Sequence, residues 1–481
     1  MAGAQTSRNG RSNALLRCIL LAAVLALLPI WPATAAPAQP ISRDPRFGMN
    51  EAWRAADAAD RAGAGWSRIL FWWSELQKSG PGDIDPFATD QDRYIDAEVA
   101  RGRDLAAGVL NTPRWASTDG TANGVPKNLY LPWDHPENHW GQLMRKLGER
   151  YKGRIDTWII WNEVDISHGQ WNTWNGSVED YAQLLKVAYR AVKSVNPNAT
   201  VMPYGAAYWY DRGVGMQRLL DVLSADPEAK RFNHYFDVAN IHLYSRASDI
   251  PAVIAWYREQ LELRGMKKPI WVAEMNAIPY DDPVRPMSKA NFRASQDEQA
   301  SYIIQAFATY LALDVKRVSV NRAVDGTDFE AGGEPFGMLR NDGTARPAYK
   351  AYQVVTRYFS NVLDAEYHPS EHLRGPRGVV LNRENERVIV VWTMSDVPQT
   401  VMAEAKAKRA LRVTKYGETR TVEAKDGKYV LDLEPATGNS NEYDNGDFVV
   451  GGEPVILVER LDGNTELAFR SLEVVPAPRP R

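Results

Sequence analysis

Two glutamates at the ends of predicted strands are the residues of this chain best placed to do chemistry. Glu163 ends the run Asp-Thr-Trp-Ile-Ile-Trp-Asn-Glu, and Glu274 ends the run Pro-Ile-Trp-Val-Ala-Glu. Cleavage of a glycosidic bond needs two such carboxyl groups, one that protonates the leaving oxygen and one that meets the oxocarbenium-like carbon. The alternative interpretation is that each glutamate merely ends a strand, as polar residues often do.

The elements that would position this pair are short apolar runs that alternate with helical patterns from Arg46 to about Phe359. The runs span residues 47–50, 66–72, 105–110, 157–161, 200–204, 238–243, 269–273 and 317–320. Eight such units predict one (β/α)8 barrel, and no glycine-rich phosphate loop follows the first run as a doubly wound sheet would favour. Strand ends of a barrel share one mouth, so we expect Glu163 and Glu274 to face each other there.

The pattern changes after Phe359, and a chain of 481 residues has room for a second domain. Short strands are predicted at 379–381, 387–392, 411–414, 428–433 and 454–458, separated by turns such as Asp426-Gly427. This spacing is typical of a β-sandwich. The predicted domains are a signal peptide at 1–36, the barrel at 45–360, the sandwich at 361–472 and a disordered, proline-containing tail at 473–481.

The N-terminal segment resembles an export signal. Three arginines precede the apolar stretch 18–31, and the small residues 33–36 offer a cleavage site. The stretch is short for a membrane span and Pro29 interrupts it, so a secreted or periplasmic location is favoured over an uncleaved anchor. Without this segment the chain loses Cys18, its one cysteine, and has 54 basic and 60 acidic residues, a net charge of −6. That balance argues against nucleic acid or a membrane as partner and fits a neutral or cationic ligand better than an anionic one.

Several motifs together carry a family resemblance. Trp161-Asn162-Glu163, followed later by Trp-Val-Ala-Glu274, resembles clan A of the glycoside hydrolases. The runs 171–181, 196–199 and 336–343 resemble family 39 of that clan, and the likeness covers about residues 45–360. The resemblance implies a retaining glycoside hydrolase in which Glu163 is the general acid/base and Glu274 the nucleophile, with no metal or cofactor.

The resemblance also implies roles for polar neighbours of the two glutamates. Asn162 would hydrogen-bond the 2-hydroxyl of the sugar. His242 and Tyr244 share one face of a strand, and in the clan such a pair lines the sugar pocket, with the tyrosine orienting the nucleophile. Arg68 resembles the arginine beneath the nucleophile. A core histidine and a structural salt bridge of Arg68 are the alternatives.

Aromatic residues at or after strand ends are candidate platforms for sugar rings, and packing in the core is the alternative for each. They are Trp72, Trp73, Trp115, Trp171, Trp174, Tyr208 and Trp209. The eighth strand departs from the clan pattern, since residues 317–325 contain no tryptophan. Asn321, Arg322 and Asp325 would then face the sugar, which hints at a substituted or branched substrate.

Two histidine pairs, His135 with His139 and His368 with His372, match metal-binding spacing, and we expect neither to bind metal. Pro369 within His368-Pro-Ser-Glu-His372 disfavours the helix that would bring both imidazoles to one ion.

The predicted partner is a polysaccharide or oligosaccharide. Family 39 includes β-xylosidases, iduronidases and enzymes that trim biofilm exopolysaccharide, and the last group is favoured. The alternatives are a non-catalytic carbohydrate-binding barrel and a transglycosylase that uses the same two glutamates.

Overall fold

The computed structural model describes residues 43–85, 87–167, 169, 172–287, 293–326, 335–437, 450–461 and 472–475. These residues belong to one compact unit. The predicted signal peptide and Trp171 lie outside them. Over these ranges, no helix has the length and apolar character needed to cross a membrane.

Nine short strands form one parallel sheet. They are β1 Phe47–Met49, β2 Trp66–Trp72, β3 Asp104–Leu110, β4 Thr157–Ile160, β5 Thr200–Met202, β6 Ala206–Ala207, β7 Ala239–His242, β8 Ile270–Met275 and β11 Arg317–Val320; a separate pair is β9 Ile278–Pro279 with β10 Arg293–Ala294. The order in the sheet is β5-β4-β3-β2-β1-β11-β8-β7-β6. Because β5 and β6 are parts of one stretch, residues 200–207, the two edges of the sheet meet there. The sheet therefore closes into the predicted (β/α)8 barrel, with a divided fifth strand position.

Helices surround the sheet, and side chains near the first turn can mark where a helix begins. They are α1 Ala56–Arg61, α2 Trp73–Leu76, α3 Phe87–Ala100, α4 His139–Arg150, α5 Val178–Val195, α6 Tyr208–Asp211, α7 Val214–Ala225, α8 Ile250–Glu262, α9 Gln296–Ala312 and α10 Pro347–Tyr358, with 3-10 helices Ala52–Ala55 and Ala229–Tyr235. Helix α5 begins at a capping box, in which Ser177 accepts from the Asp180 backbone N–H and the Asp180 carboxylate accepts from the Ser177 backbone N–H. These reciprocal bonds satisfy two backbone groups that a helix start leaves unpaired.

An apolar plug fills the barrel below its mouth. It consists of Trp66, Ala106, Ile159, Met202, Val238, Trp271 and Ala273. The rings of Trp66 and Trp271 pack with their centroids 5.7 Å apart. Arg68 follows Trp66 by two residues and therefore lies on the same face of β2, one step nearer the carboxyl end. Polar side chains at the mouth thus stand on a closed apolar floor.

The C-terminal strands form a β-sandwich, as predicted. They are β12 Asp364–Pro369, β13 Pro376–Asn382, β14 Glu386–Thr393, β15 Gln399–Glu404, β16 Arg409–Val413, β17 Thr419–Glu423, β18 Lys428–Leu433, β19 Val455–Arg460 and β20 Leu472–Val475. One antiparallel sheet has the order β12-β13-β14-β19-β16-β17 and the other β18-β15-β20. Residues 473–475, which we assigned to a disordered tail, belong to β20 and pair with β15.

Helix α9 joins the barrel to the sandwich. It is buried along nearly its whole length, including the polar side chains of Gln299, Gln305 and Thr309. The amide of Gln305 donates to the backbone oxygens of Gly451 and Gly452 at 3.1 and 2.9 Å and accepts from the Gly451 N–H at 3.1 Å. These bonds satisfy a buried amide, so barrel and sandwich share one packed interface.

Candidate active site

Glu163 lies on a constrained turn after β4. Trp161 and Glu163 have φ angles of 69° and 43°, in the left-handed region that bulky residues adopt only when the surroundings enforce it. The buried Trp161 indole donates to the Thr173 carbonyl at 2.8 Å and packs edge-on against Trp174. The Thr173 hydroxyl donates to the Asn162 carbonyl at 2.5 Å. The loop after β4 therefore folds back and fixes the turn that presents Glu163.

A bulge in β8 places Glu274 in the mouth. Ala273 belongs to the barrel plug, so strict alternation would direct Glu274 away from the mouth. The register against β7 shifts, because Ile241 pairs with Val272 while the next residue, His242, pairs with Glu274. An extra residue on one strand re-aims the side chains that follow it. Glu274 consequently turns into the barrel.

The Glu274 carboxylate has a partner on each oxygen. The Arg68 guanidinium pairs with Oε1, and the Tyr244 hydroxyl donates to Oε2 at 2.6 Å. Asn321 Nδ2 in turn donates to the Tyr244 oxygen at 2.8 Å. Burial raises the pKa of Glu274, but the positive charge of Arg68 and the hydrogen bond from Tyr244 outweigh it and hold that pKa below its ordinary value. Glu274 is thus an ionised carboxylate in a site largely closed to water.

His242 connects the two glutamates. Its Nδ1 is 2.9 Å from Glu163 Oε1 and 3.6 Å from Glu274 Oε1, and its Nε2 is 3.3 Å from Arg68 Nη1. A guanidinium can only donate, so Nε2 accepts and the imidazole proton is assigned to Nδ1, which donates to Glu163. One oxygen of each glutamate and the nearby imidazole nitrogen lie within 4.8 Å of one another.

The divided fifth strand position makes room for this imidazole. Gly205 lies between β5 and β6, and a Cβ at that position would be 2.0 Å from the His242 ring. No side chain other than that of glycine fits there without displacing His242.

Among the described residues, Glu163, His242 and Glu274 are the group with spacing that could hold a metal ion. The Arg68 guanidinium already pairs with Glu274 and places a positive charge beside any such ion. The Nδ1 proton of His242 would also have to leave. The donor set therefore suits proton transfer better than metal binding. His368, of the dismissed histidine pair, lies in β12, 3.4 Å from Glu366.

The segment after β11 only partly follows our prediction. Asn321 reaches the site through Tyr244, whereas Arg322 Nη1 lies 3.6 Å from Glu51. The prediction that Asp325 faces the sugar is wrong. Asp325 is 2% exposed and accepts from both terminal nitrogens of the buried Arg346, at 2.9 and 2.7 Å. A buried guanidinium needs such a partner, and this need directs Asp325 inward.

Burial separates the aromatic candidates. Trp73 is fully buried and donates to Gln77 at 2.8 Å, and Trp174 is 4% exposed. Both are core residues, so their prediction as sugar platforms is wrong. Trp115 and Tyr208 are half-buried, whereas Trp72 and Trp209 are 39% and 36% exposed. These four retain faces that a sugar could reach.

Three polar residues near the site were missed in the sequence. Asn50 Nδ2 donates to the carbonyl of Ala273 in the β8 bulge at 2.9 Å, and Asn276 Nδ2 donates to the Asn321 carbonyl at 2.6 Å. Asp165, two residues after Glu163, is buried and accepts from the Ala207 N–H at 2.8 Å. Burial, and then the nearby Asp211 and Glu163 charges, raise the pKa of Asp165 well above its usual value. Asn50 and Asn276 each lie at or just past a strand end, a position that could have drawn attention to them.

Comparison with known proteins agrees with this geometry. Residues 115–352 match the family model described as glycosyl hydrolase catalytic core. The match covers most of the barrel, and the protein is an O-glycosyl hydrolase, as the resemblance implied. No curated protein sequence matches the chain.

Solved structures share the fold at low sequence identity. A family 39 glycoside hydrolase from Bacteroides cellulosilyticus WH2 has a TM-score of 0.65 at 17% identity, covering 86% of this chain and 81% of that one. A family 30 endoxylanase from Clostridium papyrosolvens C71 has a TM-score of 0.57 at 11% identity, covering 88% and 98%. A monomeric β-xylosidase from Caulobacter crescentus CB15 has a TM-score of 0.54 at 14% identity, covering 88% and 97%.

Proposed function

We propose that the protein hydrolyses glycosidic bonds of a polysaccharide with retention of anomeric configuration, using Glu163 as general acid/base and Glu274 as nucleophile. One observation carries this proposal: carboxylate oxygens of the two residues lie within 4.8 Å of each other. Retaining enzymes hold their carboxyl groups about 5–5.5 Å apart, while inverting enzymes leave about 6.5–9.5 Å for a water molecule. The spacing therefore supports direct attack by Glu274.

In the first step Glu274 attacks the anomeric carbon while Glu163 gives its proton to the glycosidic oxygen. The bond from the anomeric carbon to that oxygen breaks, and an ester to Glu274 forms. The lowered pKa of Glu274 keeps it ionised for attack. Asn162, next to the acid, would bind the 2-hydroxyl, an interaction that strengthens in the transition state.

In the second step Glu163, now a carboxylate, takes a proton from the water that attacks the anomeric carbon, and the ester to Glu274 breaks. The Nδ1–H of His242 donates to a Glu163 oxygen and so holds the carboxylate in place for this proton transfer. The arrangement thus supports one residue acting first as acid and then as base.

Export and an exopolysaccharide substrate are further parts of the proposal. The N-terminal arginines, apolar stretch and small residues support export. The exposed or half-exposed rings of Trp115, Tyr208 and Trp209 support binding of several sugar units. Mass analysis of protein recovered from the medium or periplasm tests export, since it would show loss of residues 1–36.

The mechanism is tested by product analysis on defined polysaccharides, with the first anomer observed by NMR. A retained anomer is expected. With an activated aryl glycoside, Glu163→Gln should accumulate a covalent glycosyl adduct, visible by intact mass, and the Glu163→Gln/Glu274→Gln double variant should not. Glu149→Gln, at an exposed glutamate on α4, is the matched control. An inverted first product would overturn the mechanism.

Other product patterns would support the alternative functions. Binding without turnover, unchanged in Glu274→Gln, would make the barrel a carbohydrate-binding module. Dominant transfer products at high acceptor concentration would make it a transglycosylase.

A further inference from the structure

A cavity of about 360 Å³ opens beside the barrel mouth where β2 runs past the end of β1. Strand β1 ends at Met49, whereas β2 continues to Trp72. The Glu51 N–H donates to the Arg68 carbonyl at 3.1 Å, directly after the end of β1. Beyond this bond, Leu70 and Trp72 form one wall of the cavity, and residues of the first loop and of α3 form the others.

The cavity is lined by the outer part of β2, the strand that also carries Arg68, the ion-pair partner of the proposed nucleophile. Arg68, Leu70 and Trp72 share one face of β2, because alternate residues of a strand point the same way. Arg68 pairs with Glu274, and Trp72 is four residues further along, about 13 Å nearer the outside at the usual rise of a strand. Neither catalytic glutamate lines the cavity. It is therefore placed to take a sugar unit away from the point of cleavage.

Aromatic rings supply much of the lining. The rings of Trp53 and Tyr94 pack with centroids 4.9 Å apart. Trp72 and Tyr94 are 39% and 37% exposed, unlike the buried Trp73 that follows Trp72 directly. A concave site of apolar rings with a few polar groups is typical of a small-ligand pocket.

The lining of the cavity has two cationic side chains and one acidic side chain. The Arg54 guanidinium lies 4.9 Å from the Trp53 ring and the Arg93 guanidinium 5.0 Å from the Tyr94 ring. Glu51 is the one acidic lining residue, and it already pairs with Arg54 Nε at 3.0 Å.

Arg93 has no carboxylate in ion-pair range among the residues that the structure describes. Asp92, its neighbour on α3, pairs with Arg150 instead. The exposed guanidinium of Arg93 is thus a positive group that could pair with a carboxylate of a ligand.

We propose that this cavity is an accessory subsite that binds a uronic acid unit of the polysaccharide, with Trp72 against the sugar ring and Arg93 paired to its carboxylate. The inference rests on the proposed function, because it takes the polysaccharide to run across the barrel mouth. It departs from our expectation, drawn from the net charge, of a neutral or cationic ligand. The net charge describes the whole chain, whereas the lining of this cavity carries an excess of positive charge.

The test measures binding by the full chain to three oligosaccharide probes, oligogalacturonate, oligomannuronate and hyaluronan fragments, and to the carboxyl-reduced form of each. At least one acidic probe should bind about fivefold more tightly than its reduced form, the upper range for an exposed ion pair. Arg93→Gln should remove that difference. Trp72→Ala should weaken the acidic and the reduced form alike. Arg374→Gln, at an exposed arginine of the sandwich, is the control and should change neither.

Equal binding of acidic and reduced probes, no binding of any probe, or an unchanged preference in Arg93→Gln would each overturn the inference. These outcomes are distinct from failure of the proposed function. Charge-dependent binding with no hydrolysis, or hydrolysis with no charge dependence, would separate the two.

Discussion

The hydroxyl of Tyr244 and the carboxylate of Glu274, which are 30 residues apart in the sequence, are joined by a hydrogen bond of 2.6 Å. Tyr244 follows β7 and Glu274 lies in the β8 bulge. The hydroxyl oxygen accepts from Asn321, so its proton is directed at Glu274. The tyrosine can therefore orient the carboxylate and favour its ionised form.

Replacing Tyr244 by phenylalanine should move the acidic limb of the pH profile of kcat/KM to higher pH. Loss of the hydrogen bond removes one cause of the lowered pKa of Glu274, so protonation would inactivate the variant at a higher pH than the wild type. kcat/KM should fall by about 10- to 100-fold, the range for a hydrogen bond to a charged group. Tyr280→Phe, at an exposed tyrosine, should match the wild type. An acidic limb that stays in place in Tyr244→Phe would contradict this role.

Arg68→Met should destabilise the protein most strongly at neutral pH. Glu274 has a folded pKa below its unfolded value, so its contribution to stability is present above the unfolded pKa and is lost as pH falls through the folded pKa. Removing the cation leaves a buried carboxylate unpaired, at a cost of about 3–5 kcal/mol. Urea unfolding should show a deficit at pH 7 that shrinks towards pH 4. A deficit independent of pH would argue for a packing role of Arg68 alone.

Asp165→Asn should stabilise the protein, and more so as pH rises above about 4, the usual pKa of an aspartate. The folded pKa of Asp165 is raised, so the stability it contributes is complete below the unfolded pKa and is lost as pH increases towards the folded value. The asparagine oxygen can still accept from the Ala207 N–H. Thermal unfolding over pH 4–8 measures the difference. Asp314→Asn, at an exposed aspartate, is the control, and a Tm gain that does not grow with pH would count against the raised pKa.

Asp325→Ala should lower stability by about 3–5 kcal/mol, because it leaves the buried Arg346 without one of its two carboxylate partners. The Asp325→Ala/Arg346→Met double variant should recover part of the loss. Substrate preference should stay that of the wild type in a screen of defined polysaccharides. A change of preference without loss of stability would restore our first interpretation, in which Asp325 contacts the sugar.

The buried Trp73 and the exposed Trp209 should respond differently to replacement by alanine. Trp73→Ala should cost about 3–5 kcal/mol of stability, as removal of a large core side chain does. Trp209→Ala should change stability by less than about 0.5 kcal/mol and raise KM for long substrates if its ring contacts the chain. Denaturant midpoints and KM values for short and long oligosaccharides measure both effects. Equal stability loss in both variants would place Trp209 in the core.

The barrel was predictable because its strands are short apolar runs with helical patterns between them. The ends of β4 and β8 also placed Glu163 and Glu274 in one region. The sandwich strands β12, β15 and β17 were missed. Asp364–Pro369 and Thr419–Glu423 are mostly polar and only half-buried or exposed. Their pairing with neighbouring strands, which no local pattern records, makes them strands.

The inward direction of Glu274 was not predictable from alternation. It depends on one extra residue in β8 relative to both β7 and β11, a property of three strands together. The prediction of buried tryptophans as sugar platforms was wrong for a related reason. Trp72 and Trp73 are adjacent in the sequence, yet one is exposed and the other is fully buried, because tertiary packing decides which ring the core covers.

Gly205 sets a limit on how this protein could be engineered. Exchange of glycine for alanine is a common route to thermostability, since it reduces the freedom of the unfolded chain. At position 205 the added methyl group would take the volume of the His242 ring, and the imidazole would lose its bond to Glu163. A stabilised library should therefore keep this glycine fixed, because a gain in heat resistance there would come from a molecule in which Glu163 had lost its hydrogen bond to His242.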